Sequence, residues 1–498
     1  MHYFIPDWDD RVDPNYQFLT DTHHPRRDPY KDDVYAHQIY MPAPYDGILV
    51  SRSMLDANKQ KHDLVERNGI HGYLRAPDEM PILGDCGAFS YWQLPEPPYT
   101  TQEMLDYYKK FGFDYGVSID HLIFTEIEDQ RHARLQITQR NAEAFFEQHR
   151  AGGYAKHFTP IGAAQGWNEE SYAQSVEKLV KMGYSYIALG GLVRSPASFI
   201  LSVLKRIQPI ICNTPGLRVH LFGVTRVEHL ADFQRLGVTS FDSASRLRRA
   251  WMDGRRNYFV GDSVFTAIRI PFAHDKLKSL LRVFESLRAD CVSDPRSQEM
   301  LAPVIAAIEG ALDKGVRPVV WDDDFAQNGN HSQHGLNTDE HVLVDLLAQL
   351  RNMPEAGSPE RLSLLDDLAR CADRLIDIPT IFLMAEQGAL AALRAFRDGT
   401  QNVESTLSAI RRYGLLWGDT KERMDAYRQT LTMRPWQTCE CLICRQLDIE
   451  VVIFRGNNRN RRRGFHNTWQ LYETLKAARE QPHPKTAVVE QLEIFQPQ

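Results

Sequence analysis

Hydrophobic and polar positions between residues 45 and 250 predict short strands that alternate with helices. The β-rich apolar runs are DGILVS, MPILGD, YGVSID, FTPIGAAQG, YIALGG, VHLFGV and TSFDSA. Several are followed by helical patterns that end in glycine, such as TQEMLDYYKKFG and NEESYAQSVEKLVKMG, and glycine commonly ends a helix. Strand–helix alternation indicates parallel pairing, and seven or eight such units favour a TIM-type (β/α)8 barrel, an α/β fold. The first strand is not followed by the GxGxxG pattern of a dinucleotide-binding sheet.

The rest of the chain predicts further regions around this barrel. Amphipathic helical spacing recurs after residue 268, for example at 276–290, 300–315 and 341–353, and a polar loop is expected at 322–340. The predicted organisation is an N-terminal extension (1–44), a catalytic barrel (45–267), a helical insertion or accessory region (268–430), a small zinc-binding subdomain (431–480) and a C-terminal tail (481–498).

Polar residues and glycines stand where the apolar runs end. They are Asp85, Asp120, Gln165, Gly190, Gly191, Gly223 and Asp242. Turn chemistry alone accounts for an acid or a glycine at any single strand end. In a barrel, however, the carboxyl ends of all strands meet at one face, which carries the chemistry. The whole set is therefore expected to converge on one pocket.

A cluster of cysteines near the C-terminus predicts a metal site. Cys439, Cys441 and Cys444 place three thiols within six residues, and His466 follows at the start of a helical pattern. Zinc favours four tetrahedral sulfur and nitrogen ligands, and a closed Cys3His set is structural. Buried apolar cysteines are the weaker alternative. His483 is the other possible fourth ligand, but it lies between two prolines.

Composition and charge exclude several classes of protein. The chain has 498 residues and a net charge of −7, so no global basic field attracts a polyanion and any such site must be local. The first residues, MHYFIPDWDD, do not resemble a signal peptide, and no apolar run approaches the length of a membrane span. Seven cysteines in so long a chain do not indicate a disulfide framework. A cytoplasmic protein is expected.

Two local basic clusters stand out against this acidic background. One follows Asp242 and the other lies between the predicted metal ligands; the residues are Arg246, Arg248, Arg249, Arg459, Arg461, Arg462 and Arg463. A run of charge usually forms a solvated face, but arginine beside a small metal site is also suited to hold phosphates. Both clusters are expected to contact nucleic acid.

An ordered set of short motifs resembles the tRNA-guanine transglycosylases. The motifs are DCGAF, SIDH, AAQG, LGGL, FGV and FDSASR, closed by CECLIC and His466. Each is weak alone, but their order is specific. The resemblance covers about residues 45–265 and 431–480.

The resemblance implies an exchange of bases on a sugar. Two carboxylates around a glycosidic carbon are the minimum set for exchange with retention. By resemblance, Asp242 is the nucleophile that forms a covalent glycosyl-enzyme intermediate, and Asp85 is the general acid/base. The target base must leave its stack to reach such a pocket.

The resemblance also implies how the base is held. Asp120 would accept hydrogen bonds from the base, while Gln165 and the backbone at Gly190 and Gly191 would read its O6 edge. Phe89 would stack on the ring. A core position for Phe89 and a turn-stabilising role for Gln165 are the structural alternatives.

Departures from the tRNA enzymes point to one branch of the family. Cys86 and Ala88 stand where those enzymes usually have Ser and Gly, His121 follows Asp120, and many more residues separate Asp242 from the cysteines. These features resemble the divergent DNA-modifying branch, the DpdA-type proteins. They imply exchange of guanine in DNA for a 7-deazaguanine such as 7-cyano-7-deazaguanine, with other DNA-modification proteins as partners. A tRNA substrate remains the alternative. A catalytically inactive zinc-containing protein that binds nucleic acid is another, although the retained acids argue against it.

Overall fold

The computed structural model describes residues 1–124, 127–224, 226–290, 295–313, 363 and 378–480. The chain forms two compact units. The first contains Met1–Arg11, Tyr35–Leu247 and Thr468–Gln498, and the second contains Val12–Val34 and Arg248–Asn467. The predicted loop at 322–340, the predicted helix at 341–353 and the tail at 481–498 with His483 lie outside the described residues.

Eight parallel strands form a closed barrel in the first unit, which confirms the predicted fold. The strands are β1 (His2–Pro6), β2 (Gly47–Ser51), β3 (Ile82–Asp85), β4 (Tyr115–Val117), β5 (Thr159–Ala164), β6 (Tyr186–Leu189), β7 (Arg218–Leu221) and β8 (Ser240–Asp242). Each pairs with the next, and β1 closes the barrel by pairing with β8. Side chains such as Phe4, Leu49, Leu83 and Ile161 pack inside as a buried apolar cluster.

The first barrel strand lies earlier in the chain than the sequence pattern predicted. Residues 1–44 were expected to be an extension, but His2–Pro6 supplies β1 and pairs Phe4 with Gly47 on one side and with Asp242 on the other. The apolar run HYFIP is short, and a long polar segment separates it from the next strand. The strand–helix alternation therefore does not extend to it.

Helices are interleaved with these strands. They are α1 (Ala36–Ile39), α2 (Arg52–Asp56), α3 (Lys59–Leu74), α4 (Thr101–Phe111), α5 (Glu128–Ala151), α6 (Glu169–Met182), α7 (Ala197–Cys212), α8 (Leu230–Arg235) and α9 (Ser245–Met252), with short 3-10 turns at Ala88–Ser90, Tyr154–Lys156 and Val227–His229. The boundaries of α4 follow from its sequence. Thr100 and Glu103 form a capping box at its start, and Gly112 ends it in the left-handed region at φ 77°.

The described part of the second unit is largely helical and carries two small sheets. Strands β9 (Tyr258–Val260) and β10 (Ser263–Phe265) are antiparallel, and β11 (Ile268–Arg269) pairs in parallel with β12 (Ile453–Phe454). The later helices are α10 (Ala273–Asp290), α11 (Pro295–Asp313), α12 (Ile378–Arg397), α13 (Val403–Leu416), α14 (Lys421–Met433), α15 (Pro435–Thr438), α16 (Leu442–Leu447) and α17 (Gly456–Glu480), with a 3-10 turn at Asp448–Val452. The predicted helix at 276–290 lies in α10, and most of that at 300–315 lies in α11. In the described part of the chain, no helix is both long and apolar enough to cross a bilayer.

Candidate active site

The predicted polar residues stand at the carboxyl ends of the barrel strands. Asp85 is the last residue of β3 and Asp242 is the last residue of β8. Gln165 follows β5 directly and Gly190 follows β6 directly, while Asp120 lies three residues beyond β4. Carboxyl ends of barrel strands share one face, so the topology places all five on the same side of the barrel.

Asp85 is held by the residues of its own turn and of β2. Its Oδ2 accepts hydrogen bonds from the Ser51 hydroxyl at 3.0 Å and from the Gly87 amide at 3.1 Å. Gly87 has φ 82°, and a Cβ there would lie 2.0 Å from the Ser53 hydroxyl oxygen, so the turn requires glycine. Burial, together with the negative charges of Asp120 and Asp242, raises the pKa of Asp85 to about 7. At neutral pH this carboxyl group is therefore protonated in a large fraction of molecules.

Asp120 joins the same cluster from β4. Its Oδ2 accepts a hydrogen bond from Gln165 Nε2 at 2.6 Å, and the Cys86 thiol lies 3.4 Å from its Oδ1. Ligand atoms of Asp85, Cys86 and Asp120 all lie within 4.8 Å of one another. Tyr91 braces the group, because its hydroxyl donates to the Asp120 carbonyl at 3.0 Å and lies 2.9 Å from the Cys86 sulfur. Burial raises the pKa of Asp120.

Gln165 presents an unused acceptor. Because its Nε2 donates to Asp120, its Oε1 faces the other way, and this buried oxygen has no hydrogen-bond partner among the described residues. A Cβ on Gly190 would lie 2.2 Å from Gln165 Nε2, and one on Gly191 would lie 2.8 Å from Oε1. Leaving a buried acceptor unpaired costs about 1–3 kcal/mol. An orphaned amide oxygen beside a glycine is suited to receive a ligand donor.

Asp242 is held differently from Asp85. Its Oδ1 accepts hydrogen bonds from the Gly223 amide at 2.8 Å and from His220 Nε2 at 3.1 Å. No hydrogen bond to Oδ2 is found within the described residues. His220 was not predicted as a site residue, although it lies inside the predicted strand VHLFGV and is fully buried. The sequence feature that could have identified His220 is its place as the single titratable residue in an apolar run, two residues before Phe222-Gly223 at the end of that run.

Phe89 lies at the surface of this face rather than in the barrel core. Its side chain is 52% exposed, and its ring centroid is 5.7 Å from that of Phe124. Trp92 contacts Phe124 edge to face at 6.0 Å, and the Arg194 guanidinium lies 5.0 Å from the Phe124 centroid. These four residues, here called the aromatic cluster, come from the segments that follow β3, β4 and β6.

Comparison with known proteins identifies the family to which this arrangement belongs. The queuine tRNA-ribosyltransferase family model matches residues 41–255. A DNA-guanine transglycosylase of Salmonella montevideo is 33% identical over 499 aligned residues, covering 96% of this chain and 97% of that protein. The chain belongs to the tRNA-guanine transglycosylase superfamily. A tRNA-guanine(15) transglycosylase of Picrophilus torridus is 26% identical over 231 residues, which are 45% of this chain and 34% of that protein.

The predicted membership is thereby confirmed, including the kinship with the DNA-modifying branch. The long stretch between Asp242 and the cysteines is a feature in which this chain departs from the tRNA enzymes. The full-length similarity to the DNA-guanine transglycosylase extends through that stretch. This transglycosylase is a pentosyltransferase of the guanine-exchanging type.

The transglycosylase also carries the predicted Cys3His cluster. Cys439, Cys441, Cys444 and His466 are buried, and their ligand atoms lie within 4.8 Å of one another. His466 Nδ1 is 3.3–3.6 Å from the three sulfur atoms. Tetrahedral zinc bonds would separate sulfur and nitrogen ligands by about 3.6 Å. His466 Nε2 lies 2.5 Å from the Phe259 carbonyl, which orients Nδ1 towards the thiols. The four residues therefore fit a metal ion.

Three of the predicted phosphate-binding arginines are buried in the transglycosylase. Arg459 and Arg463 are fully buried and Arg462 is 5% exposed. All three lie in residues 456–467 of α17, which belong to the second unit, and their guanidinium groups satisfy buried acceptors instead of facing solvent. Arg459 pairs with Asp21 and Glu450. The prediction that these three arginines contact nucleic acid is therefore wrong.

The partners of the other two arginines explain the burial. Arg462 donates to the Asp13 carbonyl at 2.7 Å, and Arg463 donates to the Val451 and Ile453 carbonyls at 3.1 and 3.2 Å. The remaining predicted arginines differ, because Arg249 is exposed and Arg246, Arg248 and Arg461 are half-buried. For these four, nucleic-acid contact stays a prediction.

Proposed function

We propose that this transglycosylase replaces guanine in DNA with a 7-deazaguanine such as 7-cyano-7-deazaguanine, through a covalent intermediate on Asp242. The proposal is carried by one observation, which is the contrast between two acids on the same barrel face. Asp85 has a pKa near 7, whereas Asp242 has two donors on a single oxygen. One acid is suited to carry a proton, and the other is suited to attack.

The proposed exchange proceeds in two displacements. Asp242 Oδ2 attacks C1′ of the target deoxyribose, the bond from C1′ to guanine N9 breaks, and the leaving guanine takes the proton held by Asp85. The incoming 7-deazaguanine then loses its N9 proton to the Asp85 carboxylate and attacks C1′, which breaks the ester to Asp242. Two inversions give net retention, and Asp85 ends protonated as it began.

The base pocket is proposed to consist of Asp120, Gln165, Gly190 and Gly191. The Asp120 carboxylate would accept hydrogen bonds from N1–H and the exocyclic amine of the base. The second Nε2 hydrogen of Gln165 and the backbone at Gly191 would face O6, while the unused Gln165 oxygen takes a further donor. Without Cβ atoms on the two glycines, the base can approach the backbone closely.

Binding of an unstacked nucleotide is supported by the aromatic cluster. Phe89 follows Asp85 by four residues, and base–aromatic stacking contributes about 1–3 kcal/mol per base. Arg194 adds a cation beside the rings. We propose that Phe89 stacks on the target base and that Arg246, Arg248 and Arg249, which follow β8 in the chain, contact phosphates.

Zinc is the proposed occupant of the Cys3His cluster. All four ligands are supplied by the protein and are buried, so the ion would be structural and would not bind substrate. It would fix α16 and the Cys439–Cys441 turn against α17.

Separate nucleoside analysis of DNA and tRNA tests the proposed function. The protein is incubated with each polymer and with isotope-labelled 7-cyano-7-deazaguanine, with and without the other DNA-modification proteins that the resemblance implies as partners. Each polymer is then digested and its nucleosides are measured by mass spectrometry. Labelled deoxynucleoside in DNA is the expected result.

The same measurement addresses the second candidate function. The match to the queuine tRNA-ribosyltransferase family favours a tRNA substrate as the alternative. Label in tRNA alone would contradict the DNA proposal while leaving base exchange in place. Label in neither polymer, with and without the partner proteins, would contradict both.

A further inference from the structure

A buried histidine in β7 links the nucleophile to a chain of hydroxyl groups. His220 Nε2 lies 3.1 Å from Asp242 Oδ1, and its Nδ1 lies 2.9 Å from Ser240 Oγ. The Tyr186 hydroxyl lies 2.6 Å from the same Ser240 oxygen. His220 is 0% exposed and Ser240 is 1% exposed. The three side chains come from three neighbouring strands, β6, β7 and β8.

The direction of each hydrogen bond follows from the chemistry of its two ends. An ionised Asp242 can only accept, so Nε2 of His220 carries the proton. In the neutral imidazole, Nδ1 is then the acceptor and receives the Ser240 hydroxyl proton, and Ser240 in turn accepts from Tyr186. Burial raises the pKa of Tyr186 to about 12, which keeps that hydroxyl protonated. The chain of donors therefore runs from Tyr186 through Ser240 and His220 to Asp242.

The imidazole ring is also confined by its aromatic neighbours. Phe4 and Phe222 pack edge to face on it, with ring centroids at 5.9 and 4.9 Å. A ring fixed at both nitrogens and on its sides cannot rotate away from Asp242 without breaking these contacts.

We infer that His220 is a positioning residue for Asp242, held in one tautomer by Ser240 and Tyr186. With the Gly223 amide, it binds Oδ1 and leaves Oδ2 as the atom that attacks C1′. The inference rests on the proposed function, since it assigns how the proposed nucleophile is oriented. His220 itself does not touch the reacting atoms.

Two substitutions at His220 test this role. His220→Leu removes the donor and keeps an apolar side chain of similar bulk, whereas His220→Gln keeps a side-chain amide that can donate to Asp242 and accept from Ser240. The measurements are kcat and KM for base exchange on DNA and the single-turnover rate of covalent adduct formation. His220→Leu is expected to lower kcat about 100-fold, with KM for DNA changed less than about threefold. His220→Gln is expected to recover about tenfold of that loss.

A second pair of variants keeps the test decisive if His220→Leu does not fold. Ser240→Ala removes the group that fixes the tautomer and is expected to lower kcat about three- to tenfold. Where His220→Leu does fold, adding Ser240→Ala to it should lower kcat almost no further, because the two residues act as one unit. His149→Gln is the matched control, since His149 is also buried with one carbonyl contact, to Phe158 at 2.9 Å, but lies in α5. It is expected to leave kcat unchanged.

The outcomes separate this inference from the proposed function. Equal losses of kcat in the Leu and Gln variants would assign His220 a packing role and overturn the inference, as would a His220→Leu enzyme with wild-type kcat. If only the Ser240 and Gln variants fold, wild-type kcat in Ser240→Ala would overturn it. Absence of base exchange in the wild-type protein would instead contradict the proposed function, whatever the variants do.

Discussion

At the scale of single residues, environment rather than side-chain type distinguishes the two proposed catalytic acids. Asp85 lies beside the Asp120 carboxylate, and burial together with the charges of Asp120 and Asp242 raises its pKa and favours its protonated form. Asp242 instead has the Gly223 amide and the His220 imidazole as hydrogen-bond partners, both on Oδ1. The same residue type therefore suits opposite tasks at two strand ends of one barrel.

The first prediction concerns the pH dependence of covalent adduct formation. Because the pKa of Asp85 is raised to about 7, the proton needed by the leaving guanine is present below this pH and lost above it. The single-turnover rate is expected to be level below about pH 6 and to fall about tenfold per pH unit well above 7. A rate that stays constant up to about pH 9 would remove Asp85 from the role of general acid.

The second prediction concerns the stability of an Asp85→Asn variant. A carboxyl group whose pKa is higher in the folded than in the unfolded protein stabilises the fold fully at any pH below its unfolded-state pKa. This stabilisation is lost as the pH rises through the folded-state pKa. For Asp85 that window runs from about 4 to about 7. The Asn side chain has no such loss, so the Tm of the variant minus that of the wild type should increase from pH 5 to pH 8.

Thermal unfolding at several pH values measures this difference. Asp78→Asn serves as the control, because Asp78 is exposed, and any pH dependence of its Tm difference is subtracted as the effect of losing a surface carboxylate. A Tm difference for Asp85→Asn that does not change with pH would show that the carboxyl group is not strained by burial.

Single residues could be predicted where the fold alone determines their neighbours. Asp85, Gln165 and Asp242 stand at strand ends, and any barrel brings strand ends together. His220 and Tyr91 could not be predicted in the same way. His220 contacts Asp242, 22 residues away, and Tyr91 contacts the Asp120 carbonyl, 29 residues away, and only side-chain coordinates reveal those pairs.

At the scale of elements, the barrel strands that alternate with helices were predictable, and β1 and α3 were not. Helix α3 has few apolar positions, and Gly69 within it has φ 68°, so its helical periodicity is interrupted. The burial of Arg459, Arg462 and Arg463 could not be predicted from the sequence either. A dense run of charge resembles a solvated face, but α17 is packed on most sides and buries its guanidinium groups against carbonyls and carboxylates.

The third prediction contrasts a buried and an exposed arginine. Arg459→Met leaves Asp21 and Glu450 without this buried cation, and breaking a buried pair from one side costs about 3–5 kcal/mol of unfolding free energy. Arg256→Met makes the same change at an exposed position and should cost less than about 0.5 kcal/mol.

Chemical denaturation of both variants tests this contrast. In the described structure Arg459 has no access to solvent, so the affinity of the folded Arg459→Met variant for DNA should equal that of the wild type. A stable variant with much weaker DNA binding would restore the phosphate-binding role that the sequence suggested.

The fourth prediction concerns the metal cluster that joins α16 and α17. Four buried ligand atoms lie close enough to share one ion, and structural zinc contributes directly to folding. The purified protein is expected to contain about one zinc per chain, and a strong chelator should lower its Tm. Zinc near zero in a folded protein, or a Tm insensitive to chelation, would contradict the structural role.

At the scale of the whole molecule, the proposed chemistry is contained in the barrel unit. Asp85, Asp120, Gln165, His220 and Asp242 all belong to it, whereas the Cys3His cluster belongs to the second unit. A net charge of −7 makes general attraction of DNA unfavourable, so local arginines and the aromatic cluster must supply the contacts. Family membership was predictable because several short motifs occur in a specific order along the chain. Whether the substrate is DNA or tRNA was harder to predict, since the motifs form a base pocket that a base from either polymer can enter.

The central claim is that Asp242 forms the covalent bond to the sugar. The most direct measurement is to trap the adduct between protein and guanine-containing DNA by denaturation in the absence of an incoming base, and to map the linkage by peptide mass spectrometry. The account predicts an adduct on the peptide that contains residue 242 in the wild type, and none in Asp242→Asn. A linkage to any other residue, or guanine exchange by Asp242→Asn at the wild-type rate, would contradict it.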